Sequence, residues 1–283
     1  MVVAVFGRDQ ARSDRQAAEL AARLGHPVQP FCGAGLLGTV DLDGVIVASP
    51  AETHLAFLQM ALARGLPTLC EKPLVAPAQA AAGQQVVAGF RQRGVLLEEN
   101  CQWPFMLPVF DQIAPDWRHR PARSLVMGLS PSAPGPGMVV DSLSHLLSVA
   151  QAVAPIAAST RLRSVRRQGG ADSDAQILAL QFDSPGLDAR LELRVCPQQP
   201  RPAFVAIDGI RVDRRIGADY RLEFATTERS VAAPDPMAAL VYRFVSQLPH
   251  PPLDRIHRSA DAIAERLRLY DEILRRLEPG AGG

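Results

Sequence analysis

Apolar residues in this chain form two kinds of run, and the pattern changes near residue 100. Val2-Val3-Ala4-Val5-Phe6 and Gly44-Val45-Ile46-Val47-Ala48-Ser49 are continuous apolar stretches, as in strands buried on both faces. Between them Ala17, Leu20, Ala21 and Leu24 recur at helical spacing. Ser13 and Gln16 stand ahead at capping-box spacing, and Gly25 with Pro27 closes the helix. Val28 to Phe31 predicts a short strand. A helix follows from Glu52 to Arg64, closed by Gly65, then a strand from Leu66 to Cys70. Residues 77–93 read as a helix closed by Gly94, and Val95 to Leu97 as one more strand. Strand and helix alternate over residues 1–101, which predicts a parallel sheet with crossover helices.

From residue 102 to 283 the rhythm differs. A Pro-rich stretch from Trp103 to Pro121 leads to a strand at Ser124 to Leu129. The Pro/Gly loop Pro131 to Gly137 precedes a helix from Asp141 to Val153. Strand-like runs then follow at Gln176 to Phe182, Leu187 to Val195, Phe204 to Ile207, Ile210 to Val212 and Tyr220 to Phe224. Asp208-Gly209 is a hairpin signal. Strands joined by such turns predict a large open sheet, mostly antiparallel or mixed. The last helix, Ser259 to Leu277, carries Ile263, Leu267, Tyr270, Ile273, Leu274 and Leu277 on one face. The fold class is α/β, with an α+β second domain.

Composition narrows the choice of function. Hydrophobic residues make up 47% of the chain and charged ones 21%, enough for a sizeable core. The net charge of +1 argues against nucleic acid or an anionic membrane surface as partner. Cys32, Cys70, Cys101 and Cys196 lie far apart, with neither metal-ligand nor disulfide spacing. We therefore expect no metal, and reduced thiols in a cytoplasmic protein. No run is long enough to span a membrane.

One position carries chemistry by its identity. Lys72, in Leu69-Cys70-Glu71-Lys72-Pro73-Leu74, is the only lysine in the chain; the other basic residues are arginines. An ammonium can lose its proton when desolvated and serve as acid or base, which a guanidinium cannot do. Asp141, His145 and Ser148 share one helix face and form the second candidate group. Two plainer roles stay open there: Asp141 as a helix cap and His145 as a satisfied helix histidine. Trp103 and Phe105 either line a cleft or pack in the core.

The stretch Val45-Ile46-Val47-Ala48-Ser49-Pro50-Ala51-Glu52-Thr53-His54, then Glu71-Lys72-Pro73-Leu74, then Asp141-Ser142-Leu143-Ser144-His145 resembles the glucose–fructose oxidoreductase / inositol dehydrogenase family (Gfo/Idh/MocA). The resemblance implies a Rossmann-type first domain and an open-sheet second domain used for oligomerisation. It implies that Lys72 and His145 touch substrate, that Asp141 faces the pocket, and that the Lys72–Pro73 bond is cis. It places Glu71 near the nicotinamide ribose, and Ser49, Pro50 and His54 on the cofactor side.

The family's glycine fingerprint has no counterpart here. A dinucleotide fold puts its ribose-binding residue roughly 20 residues beyond that fingerprint. The candidate for it is Arg8 or Asp9, with at most eight residues ahead of it. We read Met1 to Phe6 as the family's second strand, so residues 1–101 form a truncated Rossmann-like domain. The glycine cluster Gly33-Ala34-Gly35 with Gly38 reads as a loop. Pyrophosphate would lose backbone donors worth about 1.5–3 kcal/mol each. Loss in evolution, a start placed too late, or donation by another chain would each produce this pattern.

Three functional expectations follow. The first is a cofactor-free protein that binds a small or peptidic biosynthetic intermediate between its domains, with Lys72, Asp141 and His145 for acid–base chemistry. The second is an NAD(P)-dependent dehydrogenase or reductase of a sugar, polyol or imine/carbonyl compound, its missing half-site supplied otherwise. There Arg8, Ser49, Pro50, His54 and Glu71 would meet the cofactor. The third is a non-catalytic binding or assembly protein. In each case a homodimer through the second-domain sheet, or a dimer with a related chain, is expected.

Overall fold

The structure is a computed structural model that describes residues 4–7, 9–33, 40–135, 137–183, 186–217, 221–248 and 250–278. The first part contains β1 (Ala4–Gly7), α1 (Gln10–Leu24), β2 (Gln29–Cys32), β3 (Val45–Val47), α2 (Ala51–Arg64), β4 (Thr68–Cys70), α3 (Ala80–Gln92) and β5 (Leu97–Glu99). All its strand pairs are parallel. They form two sheets, β1–β2 and β3–β4–β5.

Two local expectations shift. Asp9, not Ser13, caps α1: its carboxylate accepts from the Arg12 N–H at 2.8 Å, and Ser13 is buried one turn inside. A carboxylate satisfies the orphan N–H groups and suits the positive end of the helix, so the helix starts earlier. The strand expected at Val95 to Leu97 lies at Leu97–Glu99. Two carboxylates are tolerated inside a buried strand because each meets arginine: Glu98 meets Arg243 and Arg255, and Glu99 meets Arg266.

The second part contains α4 (Leu107–Ile113), β6 (Ser124–Leu129), α5 (Gly137–Val153), β7 (Leu162–Gln168), β8 (Ala175–Phe182), β9 (Asp188–Arg194), β10 (Ala203–Ile207), β11 (Ile210–Ile216), β12 (Leu222–Ala225), β13 (Ser230–Ala233), α6 (Pro236–Val245) and α7 (Leu253–Leu277). Its eight strands make one mixed sheet in the order β13-β12-β11-β10-β6-β9-β8-β7. Among the described residues only β6 and β9 of this sheet pair in parallel. Asp208 (φ 47°) and Gly209 (φ 84°) form the turn between β10 and β11, with the two positive φ angles that a tight hairpin of this kind needs.

The Pro-rich stretch is helical rather than irregular. Pro104, Pro108 and Pro115 fall in the first positions of 3-10 turns and of α4, where a missing N–H costs nothing. The strands β7 and β13 escape the pattern because they are the two sheet edges. An edge strand buries little and tolerates charge, as in the Arg163, Arg166 and Arg167 of β7.

One hydrophobic core runs from Val47 and Leu58 in the first part, through Leu146 and Leu147 of α5, to Leu191 in the sheet. The last helix crosses back to the first part. Ser259 Oγ donates to the Leu97 carbonyl at 2.6 Å, and Gln84 Nε2 to the Ala264 carbonyl at 2.8 Å. Gly83 allows this approach, since a Cβ there would lie 2.9 Å from Leu267. Among the described residues, β1, α1 and β2 contribute no side chain to either hydrophobic cluster.

Candidate active site

The loop after β4 is suspended from three neighbours. The Glu71 N–H donates to the Val47 carbonyl at 2.8 Å, and the Leu74 N–H to Glu99 Oε1 at 3.1 Å. His54, 1% exposed, places Nδ1 3.0 Å from the Pro73 carbonyl and Nε2 2.7 Å from the Ser49 carbonyl. Asn100 Nδ2 donates to Glu71 Oε1. The Lys72–Pro73 peptide bond within this loop is cis.

This suspension aims Lys72 at α5. Its Nζ donates to the backbone carbonyl of Asp141 at 2.8 Å. One turn further along, His145 is buried, and its Nδ1 has no hydrogen-bond partner among the described residues. Burial, then the Lys72 ammonium and the Arg214 guanidinium, push its pKa down to about 3. His145 is therefore a neutral imidazole beside two cations.

The helix α5 begins at Gly137, so Asp141 lies in its second turn and is not its cap. The Asp141 carboxylate is exposed, and it is the backbone of this residue that meets Lys72. Ser148 turns its hydroxyl to the His145 carbonyl at 2.8 Å. Pro50 stands at the N-cap of α2, and Ser49 Oγ lies 2.6 Å from the Thr53 hydroxyl. Lys72, Asp141, His145 and Glu71 thus come together. Ser49 and His54 form the scaffold behind them, where both ring nitrogens of His54 are engaged by carbonyls. Arg8, Gly35 and Gly38 lie outside the described residues.

Several neighbours were not legible as site residues. Glu99 holds the loop from below and pairs with Arg266 at 2.8 Å. Tyr270 donates to the Val140 carbonyl at 3.4 Å; burial, with Glu99 and Asp141 adding, pushes its pKa well up, so it stays protonated. Cys70 and Cys101 are buried thiols, held protonated by burial and by Glu99. Neither is placed to act as a nucleophile. Among the described residues no group of three or more His, Cys, Asp or Glu is positioned to hold a metal. No described helix is long and apolar enough to cross a membrane.

The family description "Oxidoreductase family, NAD-binding Rossmann fold" matches residues 1–100 of the chain. Over those residues the chain is similar to the Gfo/Idh/MocA family. D-apiose dehydrogenase of Paraburkholderia graminis is 27% identical over 230 residues, covering 72% of this chain and 60% of the relative. Inositol 2-dehydrogenase 1 of Saccharopolyspora erythraea is 37% identical over 102 residues, 32% of this chain and 29% of that one. These alignments span less than two thirds of the relatives' own length. Among solved structures, KijD10, a 3-ketoreductase from Actinomadura kijaniata in complex with TDP-benzene and NADP, superposes with a TM-score of 0.70. It is 20% identical and covers 96% of this chain and 88% of its own. UDP-N-acetylglucosamine 3-dehydrogenase GnnA from Acidithiobacillus ferrooxidans gives 0.66 at 19% identity, covering 96% and 89%. Both likenesses establish the Gfo/Idh/MocA two-domain fold.

The buried imidazole makes a prediction about acid stability. The folded-state pKa of about 3 lies below the ordinary value of 6.5, so the unfolded chain binds the proton first. The stabilisation is complete above about pH 6.5 and is lost progressively as pH falls toward 3. Between pH 7.5 and 5, His145 is expected to account for a loss of about 2 kcal/mol. Urea unfolding of the His145→Met variant at both pH values checks this, because its loss over the same interval should be smaller by that amount.

Proposed function

We propose that this chain acts on an oxygen-bearing carbon of a polyhydroxylated small molecule, in an NAD(P)-linked oxidation or reduction. The observation that carries the reading is the pairing of Lys72 Nζ with the Asp141 carbonyl, one turn from a buried imidazole whose Nδ1 has no partner. An ammonium fixed in this way donates to a substrate oxygen and polarises it. The neutral His145 imidazole is able to take or return the proton of that oxygen. The family and its sugar- and inositol-acting relatives support this class of substrate.

The described residues fit a dinucleotide at one end. Ser49 and Glu71 lie just beyond the carboxyl ends of β3 and β4, where open parallel sheets take their ligands. When bound, NAD(P) would supply or accept the hydride. Lys72 and His145 would handle the oxygen and its proton, and the buried apolar wall of Leu74 and Leu143 would help keep water out.

A second reading, cofactor-free ligand binding with acid–base chemistry, applies if nothing fills the gap between the two parallel sheets. Among the described residues β1 pairs only with β2, and β3 only with β4. A doubly wound sheet in the order 3-2-1-4-5-6 places its phosphate-binding strand between two such edges.

Titration of the purified chain with NADH and NADPH, followed by nicotinamide fluorescence, separates the two. Micromolar binding of either is the expected result for the redox reading. No binding up to millimolar would leave the acid–base reading in its place.

A further inference from the structure

Six arginines in the described residues are partly buried: Arg201, Arg214, Arg243, Arg255, Arg266 and Arg268. Four of them pair with carboxylates. Arg243 and Arg255 hold Glu98, Arg266 holds Glu99, and Arg268 holds Glu265 and Glu272. Arg201 and Arg214 have no carboxylate partner among the described residues, and the Nε of each is buried without a hydrogen-bond partner.

Arg214 stands where an apolar residue is expected. On β11, Ile210, Val212, Arg214 and Ile216 share one phase of the strand, and Val212 on that phase is completely buried. The Arg214 guanidinium carbon lies 5.3 Å from the ring centroid of buried Trp103. Its Nη2 donates to the Arg201 carbonyl at 3.0 Å. Its charge reaches His145, on which it acts together with Lys72. Burial alone lowers the Arg214 pKa, with no acidic neighbour to oppose it.

A desolvated guanidinium without a counter-ion is costly, and its flat fork of donors matches a carboxylate or a phosphate. Arg214 Nε and His145 Nδ1 are both buried without a partner, and Arg214 and Lys72 both act electrostatically on His145. Buried polar atoms are normally satisfied, so such a concentration points to a ligand that satisfies them.

We propose that the substrate of this site carries an anionic group, a carboxylate or a phosphate, which Arg214 clasps from the sheet while Lys72 and His145 meet the rest of the molecule. The proposal rests on the reading of Lys72 and His145 as the substrate site, but not on NAD(P). Burial is the main cause that holds the imidazole unprotonated; a bound anion offsets the further push of the two cations, and so makes His145 a stronger base.

The test follows the His145 imidazole by NMR in protein labelled with nitrogen-15 histidine, with no dinucleotide present. Three probes share one sugar ring: D-glucose, D-glucuronate and D-glucose 6-phosphate. Glucuronate or glucose 6-phosphate is expected to shift the His145 signals saturably, and which one does so identifies the carboxylate or the phosphate. Glucose at the same concentrations is expected to bind at least tenfold more weakly. Arg214→Met should weaken the anion's effect at least tenfold, and Arg214→Lys, which keeps the charge but loses the fork, should weaken it less. The signals of His26, His54, His119, His250 and His257 report whether each variant keeps its fold. Equal binding of glucose, no saturable shift with either anion, or unchanged anion binding in folded Arg214→Met would overturn the proposal. The nicotinamide titration can fail while these arms succeed, so the two readings fall separately.

Discussion

Replacing Glu99 with leucine is expected to cost about 3–5 kcal/mol, the usual penalty for stranding one member of a buried ion pair. The Glu99 side chain is 4% exposed and that of Arg266 12%. The carboxylate receives Arg266 Nε at 2.8 Å and the Leu74 N–H at 3.1 Å, so its loss leaves two buried donors without acceptors. Against a typical stability of about 5–15 kcal/mol, this is enough to leave many molecules unfolded. The paired variant Glu99→Leu/Arg266→Met should recover much of the loss, because an apolar pair in place of an ion pair is often neutral. Urea midpoints for the two single variants and the double variant measure the coupling. If Glu99→Leu shifts the midpoint no more than an exposed substitution does, the pair is not a structural anchor. The double variant also loses the acceptor for Leu74, so it should fold and yet hold Lys72 less firmly.

The sequence made one half of this arrangement visible. Lys72 stands out because a single lysine among arginines is a difference in chemistry, and the strand before it is apolar enough to be read directly. Glu99 was hidden because two acids after a short apolar run resemble the start of a loop. Its partner is 167 residues away and is one arginine among many. Arg214 left a fainter signal, a charge on the apolar phase of an alternating strand, which gains meaning only when Val212 is seen to be buried. The helix α6 escaped the sequence reading; the Asp235 carboxylate caps it, accepting from the Met237 N–H at 2.9 Å. With only Leu240 and Phe244 buried beyond its first residue, its apolar stripe was too short to stand out. The core strands and the long helices were legible because local pattern and tertiary burial agree there. The edge strands, with only one face to satisfy, were not.

The largest functional effect is expected at Lys72. Lys72→Met keeps the length of the side chain and removes the ammonium, so the fold should persist with at most a small loss of stability. A positioned acid or base contributes roughly 100- to 10,000-fold to a rate. Turnover by this variant is expected to fall by that factor, with kcat affected and KM changed little, because the group acts on the reacting oxygen rather than on the whole substrate. Lys72→Arg should not restore activity. A guanidinium does not exchange a proton near neutral pH, and its wider fork does not fit a single carbonyl such as that of Asp141 at 2.8 Å. His145→Gln offers an independent check. It retains hydrogen bonding but cannot shuttle a proton, so it should also lose turnover while still binding ligand. Steady-state kinetics of the three variants, with ligand affinity measured separately, distinguish chemistry from binding. Undiminished turnover in Lys72→Met would remove the acid–base role from the chain's only lysine, and Arg214 would then be the leading cation of a purely binding site.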